Sequence, residues 1–232
     1  MKILKDFSKL ENEIGIKFKN KKLLQQAFVH RSCLNENPGL KMDHNERLEF
    51  LGDAVIELAV TRHLFNTYSN PEGELTTWRA ALVNSKMLSA ISSRIGFNEF
   101  LMLSKGESRD IGRARQFILA NTFEALTGAI YLDQGFDVAE RFIKENLICE
   151  LPKILEHKLY VDPKSHFQEK AQEIVGVTPN YEILEEKGPD HAKNFVVGAY
   201  LGSELVAKGR GPSKQAAQVD AAGKALKKKG WK

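Results

Sequence analysis

Glu46, Glu49, Asp53 and Glu57 recur at three- and four-residue intervals within one stretch of the chain. At about 100° per residue, helical spacing gathers these carboxylates on one face and sets Leu48, Leu51, Val55, Leu58 and Ala59 on the opposite face. A charged face turned to water is the ordinary account of such a pattern, but three details argue for more. Like charges four residues apart destabilise a helix slightly, and no Lys or Arg interrupts the stripe of Glu49, Asp53 and Glu57. Aspartate is a poor residue in mid-helix, and the adjacent Gly52 costs about 1 kcal/mol relative to alanine. Phe50 projects beside the stripe, where a solvated face rarely keeps a large aromatic, so it is expected to meet a partner subunit. Glu46 stays open between two roles, because Asp43-x-x-Glu46 also has the spacing of a capping box.

A second segment, 118–133, places Asn121 and Glu124 one helical turn apart among apolar residues. Alone they would be a satisfied buried polar pair. Opposite Glu49 and Asp53 they would complete a four-oxygen site, and hard oxygen ligands of this kind suit Mg²⁺. None of the 6 histidines is needed as a base; His30 and His63 read as packing or surface residues.

These segments sit in a succession of helices. Up to about residue 156 apolar residues recur at three- and four-residue spacing, with breaks at Gly, Pro and Asn, which predicts an all-α domain over 1–156. After a linker at 157–161 the pattern changes to a helix over 164–175, strands over 181–184, 195–201 and 204–208, and an Ala-rich helix over 213–228. The fold class expected is an all-α domain followed by a small α+β domain of order α-β-β-β-α over 162–232. With 42% hydrophobic and 28% charged residues in 232, the chain can bury two cores.

Net charge is +4, which permits nucleic-acid binding without demanding it. Its distribution is uneven: from Tyr160 onward there are 12 Lys and Arg against 9 Asp and Glu, leaving 22 against 21 for the earlier part. The opening residues lack the apolar run of a secretory signal, so a cytoplasmic location is expected. Asn121 and Glu124 lie in the middle of the most apolar segment, 117–132, and exclude it as a membrane span. Cys33 and Cys149 lack the spacing of a zinc site or disulfide framework and read as partly buried thiols.

The run Asn45-Glu46-Arg47-Leu48-Glu49-Phe50-Leu51-Gly52-Asp53 resembles the signature of the bacterial ribonuclease III family. His30-Arg31-Ser32, Glu72-Gly73-Glu74-Leu75-Thr76, Leu82-Val83-Asn84, Leu103-Ser104-Lys105-Gly106-Glu107 and the Asn121 segment extend the resemblance over nearly the whole chain. It implies an endoribonuclease that hydrolyses double-stranded RNA with metal-activated water, in ribosomal and messenger RNA processing. The cuts would be staggered and leave 5′-phosphate and 3′-hydroxyl ends. The implied cofactor is Mg²⁺, with Mn²⁺ able to substitute, held by Glu49, Asp53 and Glu124. Asn121 stands where the family commonly has Asp; an amide oxygen still ligates a hard cation, but the site loses one negative charge. The resemblance also implies a homodimer in which Phe50 packs into the other subunit, with no membrane association.

Residues 162–231 resemble a double-stranded RNA-binding domain in three segments: Lys164-Ser165-His166-Phe167-Gln168-Glu169, Gly188-Pro189-Asp190-His191-Ala192-Lys193 and Gly211-Pro212-Ser213-Lys214-Gln215-Ala216-Ala217. Such domains read A-form shape over about 16 base pairs with little sequence preference. By this resemblance Gln168, Glu169 and His191 would reach minor-groove sugar hydroxyls, and the loop carrying Lys193 would lie against the duplex. Lys214 would meet phosphate at a helix N-terminus. Gln215 stands where the family usually has a second lysine, which weakens phosphate binding. Two other functions remain open: a catalytically impaired relative that binds duplex RNA, for which Asn121 is the support, and a helical scaffold whose acidic face docks basic partners.

Overall fold

The computed structural model describes residues 5–109, 111–189 and 193–231. The chain divides into two compact units, Met1–Tyr160 and Val161–Lys232. The first contains α1 (Ser8–Glu13), α2 (Lys21–Ala27), α3 (Arg31–Glu36), α4 (Glu46–Thr67), α5 (Glu72–Val83), α6 (Ser85–Arg94), α7 (Lys105–Arg109), α8 (Arg113–Gln134), α9 (Phe136–Asn146) and α10 (Leu151–Glu156). No helix among the described residues is long and apolar enough to cross a membrane.

Helix α8 is the axis of this unit. Its middle is apolar on nearly every side, as a helix must be when neighbours surround it, and Leu119, Ala120, Phe123, Ala125, Leu126, Ala129 and Ile130 are all buried. The Phe123 ring stacks between Phe97 and Phe142, at 6.4 and 5.3 Å between centroids. Helix α4 crosses α8 so closely that side chains are excluded. A Cβ built on Gly52 would overlap the Glu124 carbonyl oxygen and fall 2.8 Å from the Gly128 nitrogen. A Cβ on Gly128 would overlap the Leu48 carbonyl oxygen and lie 3.1 Å from the Gly52 nitrogen. Glycine 52, anomalous for a helix interior, is therefore required by the crossing.

Three local expectations are corrected. The capping box does not form: Asn45 occupies the N-cap without a side-chain cap, so Glu46 is the first helical residue and Asp43 lies too far upstream. Asn45 is instead spent on anchoring the helix start, its backbone N–H donating to Val29 and its amide to Ala27. Leu58 is 56% exposed rather than packed, because the face of α4 turned to the core runs through Leu48, Gly52, Val55, Ile56, Ala59 and Val60. Of the two cysteines, Cys33 is buried but Cys149 is exposed.

The second unit follows the order α11 (Pro163–Val175), β1 (Asn180–Lys187), β2 (Asn194–Leu201), β3 (Glu204–Gly211), α12 (Lys214–Lys229), with an antiparallel sheet ordered β1-β2-β3. Strands β1 and β3 run about three residues past their expected ends. The polar residues Glu185, Glu186 and Lys187 stay in register with Val196, Phe195 and Asn194 after a shift at Ile183/Glu185, so backbone pairing carries β1 beyond its apolar pattern. Both helices lie on one face of the sheet, where Phe167 of α11 and Ala221, Ala222 and Ala225 of α12 bury against Ala199 and Val206. The small residues let α12 lie almost in backbone contact with β3: a Cβ on Gly209 would overlap the Ala217 oxygen and the Ala221 nitrogen.

Candidate active site and nucleic-acid interface

The crossing at Gly52 and Gly128 decides where the polar side chains meet. Glu49 and Asp53 flank Gly52 on α4, while Asn121 and Glu124 occupy the turns of α8 that precede Gly128. The Asn121 amide stands beside the Glu49 carboxylate and favours its charged form. Glu49, Asn121 and Glu124 are half-buried, and Asp53 is exposed. The four side chains lie on the two crossing helices near enough to influence one another's charge.

Crowding leaves an electrostatic mark. Burial, with the Asp53 and Glu49 charges beside it, pushes the Glu124 carboxyl up to about 8. The Glu49 carboxyl is also raised, by burial first and then by Glu46 and Asp53, against the hydrogen bond from Asn121. Among the described residues no Lys or Arg forms an ion pair with Glu49, Asp53 or Glu124. A hard divalent cation would relieve this repulsion, and three carboxylates with an amide oxygen are the donors it prefers. Among the described residues no three His, Cys, Asp or Glu side chains close into a metal cage. Glu49, Asp53, Glu124 and the Asn121 amide oxygen are the groups that would hold a Mg²⁺ ion, which retains waters and takes one or two carboxylates plus phosphate oxygens.

Glu57, the fourth member of the acidic stripe, is drawn away. Its carboxylate pairs with Arg79 of α5 at 3.0 Å, and Arg79 also donates to Thr61 at 2.8 Å. Glu46 stands near Arg31 at 3.8 Å and His44 at 3.7 Å, outside any capping geometry. Sequence reasoning missed Arg79 and Arg31, since an arginine arriving from another helix leaves no periodic signal on α4. It also missed the line that Phe50 begins. Phe50 (83% exposed), Leu58 and Phe65 follow one outer stripe of α4, and their seven- and eight-residue spacing was available to find it.

In the second unit Gln168 and Glu169 lie exposed on α11 beside a shallow groove of about 610 Å³ formed with Ser165, Gln172, Glu173 and Thr178. Lys214 begins α12, exposed, behind the Ser213 cap that accepts from the Ala216 N–H at 3.1 Å; Gln215 follows it, also exposed. The Lys214 ammonium lies 5.9 Å from the centre of the Phe195 ring. Lys193 is half-buried and pairs with Glu186 at 2.8 Å. His191 falls outside the described residues.

Fold and site define a class: a helical domain with an acidic site shared by two crossing helices, followed by an α-β-β-β-α module of the duplex-RNA-binding kind. A family model described as "Ribonuclease-III-like" matches residues 20–151, and one described as "Double-stranded RNA binding motif" matches residues 163–229. "Ribonuclease 3" of Geobacillus kaustophilus is 45% identical, over 95% of this chain and 89% of its own length. That of Streptococcus gordonii is 42% identical, over 95% and 97%. The nuclease domain of ribonuclease III from Campylobacter jejuni superposes with a TM-score of 0.55 at 38% identity, covering 61% of this chain and 98% of that one. The chain belongs to the ribonuclease III family.

The raised Glu124 carboxyl sets a pH dependence. Between its ordinary value of 4.5 and about 8 the metal-free fold holds a proton that the unfolded chain has released. Stability without metal therefore falls as pH rises through that window and levels off above it. Melting temperatures in EDTA from about pH 5 to about pH 9 should show this decline, and Glu124→Gln should flatten it; an unchanged slope in the variant would assign the dependence to another group.

Proposed function

We propose that this chain is a Mg²⁺-dependent endoribonuclease that hydrolyses both strands of double-stranded RNA. The observation that carries the reading is the convergence of Glu49, Asp53, Asn121 and Glu124 from two helices in a chain of this family. When bound, a divalent ion supplies Lewis acidity toward phosphate oxygens and lowers the pKa of a water nucleophile. The chain's own part is to fix the ligands. Asn121 beside the Glu49 carboxylate favours its charged form, and the half-buried position of Glu124 keeps its oxygens poorly hydrated until a cation arrives. Cleavage of the P–O3′ bond then leaves a 5′-phosphate and, after protonation, a 3′-hydroxyl. Asn121 carries no charge, so the site should bind Mg²⁺ less tightly than one with Asp there. Its three intact carboxylates still favour an active enzyme over an impaired relative.

The C-terminal module supports duplex RNA as substrate, with Gln168, Glu169 and Lys214 exposed for sugar and phosphate contacts and Lys193 just ahead of β2. Ribosomal and messenger RNA precursors in the cytoplasm are the substrates this reading expects. Incubating a perfectly paired RNA duplex with protein and Mg²⁺ tests it. Staggered products with 5′-phosphates are expected, reduced roughly 100-fold or more in rate by Glu124→Gln. Asn121→Asp should act at lower Mg²⁺. An intact duplex with both the parent chain and Asn121→Asp would overturn the assignment.

The exposed stripe of Phe50, Leu58 and Phe65 supports a homodimer, since a monomer has little reason to hold so much aromatic surface in water. Self-association measured by analytical ultracentrifugation should weaken by about 2 kcal/mol, roughly 30-fold in Kd, in Phe50→Ala. An unchanged Kd would remove Phe50 from the interface.

A further inference from the structure

We infer that Gly128 is a positioning residue for the proposed cation site: it fixes the separation of Glu49 and Asp53 on α4 from Asn121 and Glu124 on α8. The inference rests on the metal reading above and adds a residue with no donor of its own. Its basis is a reciprocal contact. Gly52, next to Asp53, presses on the backbone of Glu124, and Gly128, one turn beyond Glu124, presses on the carbonyl of Leu48, next to Glu49. Each glycine thus abuts the opposite helix at the residue bearing a carboxylate, or immediately before it.

Helices packed through side chains stand about 8–10 Å apart. Two glycines at the crossing remove that spacer. Phe123, Leu126 and Ile130 are large buried side chains on the same helix, so the backbone contact at Gly52 and Gly128 lies within the stretch of α8 that follows Asn121 and Glu124. The tolerance there is narrow, because Mg²⁺ asks for near-octahedral oxygens at about 2.0–2.1 Å. A methyl at position 128 would meet the Leu48 carbonyl, which is backbone and cannot swing aside as the end of a flexible side chain could. Helix α4 would have to move, taking Glu49 and Asp53 away from Glu124.

The test uses the full chain with Gly128→Ala and, as a control for lost stability, Ile154→Ala, which empties a buried position on α10. Mg²⁺ binding is measured by calorimetry without RNA, at a temperature where circular dichroism shows both variants folded. Duplex RNA affinity is measured in EDTA. Gly128→Ala should weaken Mg²⁺ binding about 10-fold or more, while Ile154→Ala leaves it unchanged and both keep the duplex affinity. Equal Mg²⁺ affinity in Gly128→Ala and the parent chain, or an equal loss in both variants, would overturn the inference while leaving the metal reading intact. A parent chain that binds no Mg²⁺ would overturn both. Should Gly128→Ala fail to fold, hydrogen exchange of the parent chain decides: Mg²⁺ should protect amides of 47–53 and of 122–128 together, and protection of one helix alone, or of neither, contradicts it.

Discussion

Where α4 crosses α8, neither helix has room for a side chain. The backbone of residue 52 lies against the carbonyl of Glu124, and that of residue 128 against the carbonyl of Leu48. Helical propensity argues against glycine at both positions, at about 1 kcal/mol each, and the packed rings and aliphatic side chains around α8 offset that cost. What the fold gains is proximity. Two helices from distant parts of the chain present oxygen ligands to one small volume, with spacing set by backbone contact instead of adjustable side chains.

That proximity has an electrostatic consequence. Burial first, and then the neighbouring carboxylates, raise the proton affinity of Glu124 and Glu49, most at Glu124. Two devices moderate the repulsion. Asn121 places a neutral amide where a fourth carboxylate would have added charge, and Arg79 pairs with Glu57. The remaining deficit of positive charge is what a divalent cation would satisfy, so the electrostatic crowding and the proposed chemistry have the same origin.

Much of this was legible in the sequence because the signals were periodic. The acidic stripe from Glu46 to Glu57, the polar pair at Asn121 and Glu124, and the change from helical spacing to alternation after residue 160 follow from side-chain direction alone. Less legible were features set by partners distant in sequence. Leu58 belongs to the apolar set of α4 by type, but only the rotation of α4 against α8 puts it outside the core. Asp43 has the right spacing for a cap, yet the strand-like pairing of Val29 with Met102 and the bond from Asn45 to Val29 fix the helix start two residues later. Gly52 was visible as an anomaly, but its cause lay in Gly128, some seventy-six residues on, and no one-helix pattern contains it.

The central claim is that α4 and α8 jointly hold a divalent cation at their glycine crossing. Crystals soaked in Mn²⁺ and measured at the manganese absorption edge test it most directly. The account predicts an anomalous peak coordinated by oxygens from both helices, with Glu49 or Asp53 on one side and Asn121 or Glu124 on the other. A peak held by one helix alone, or sited away from the crossing, would contradict it.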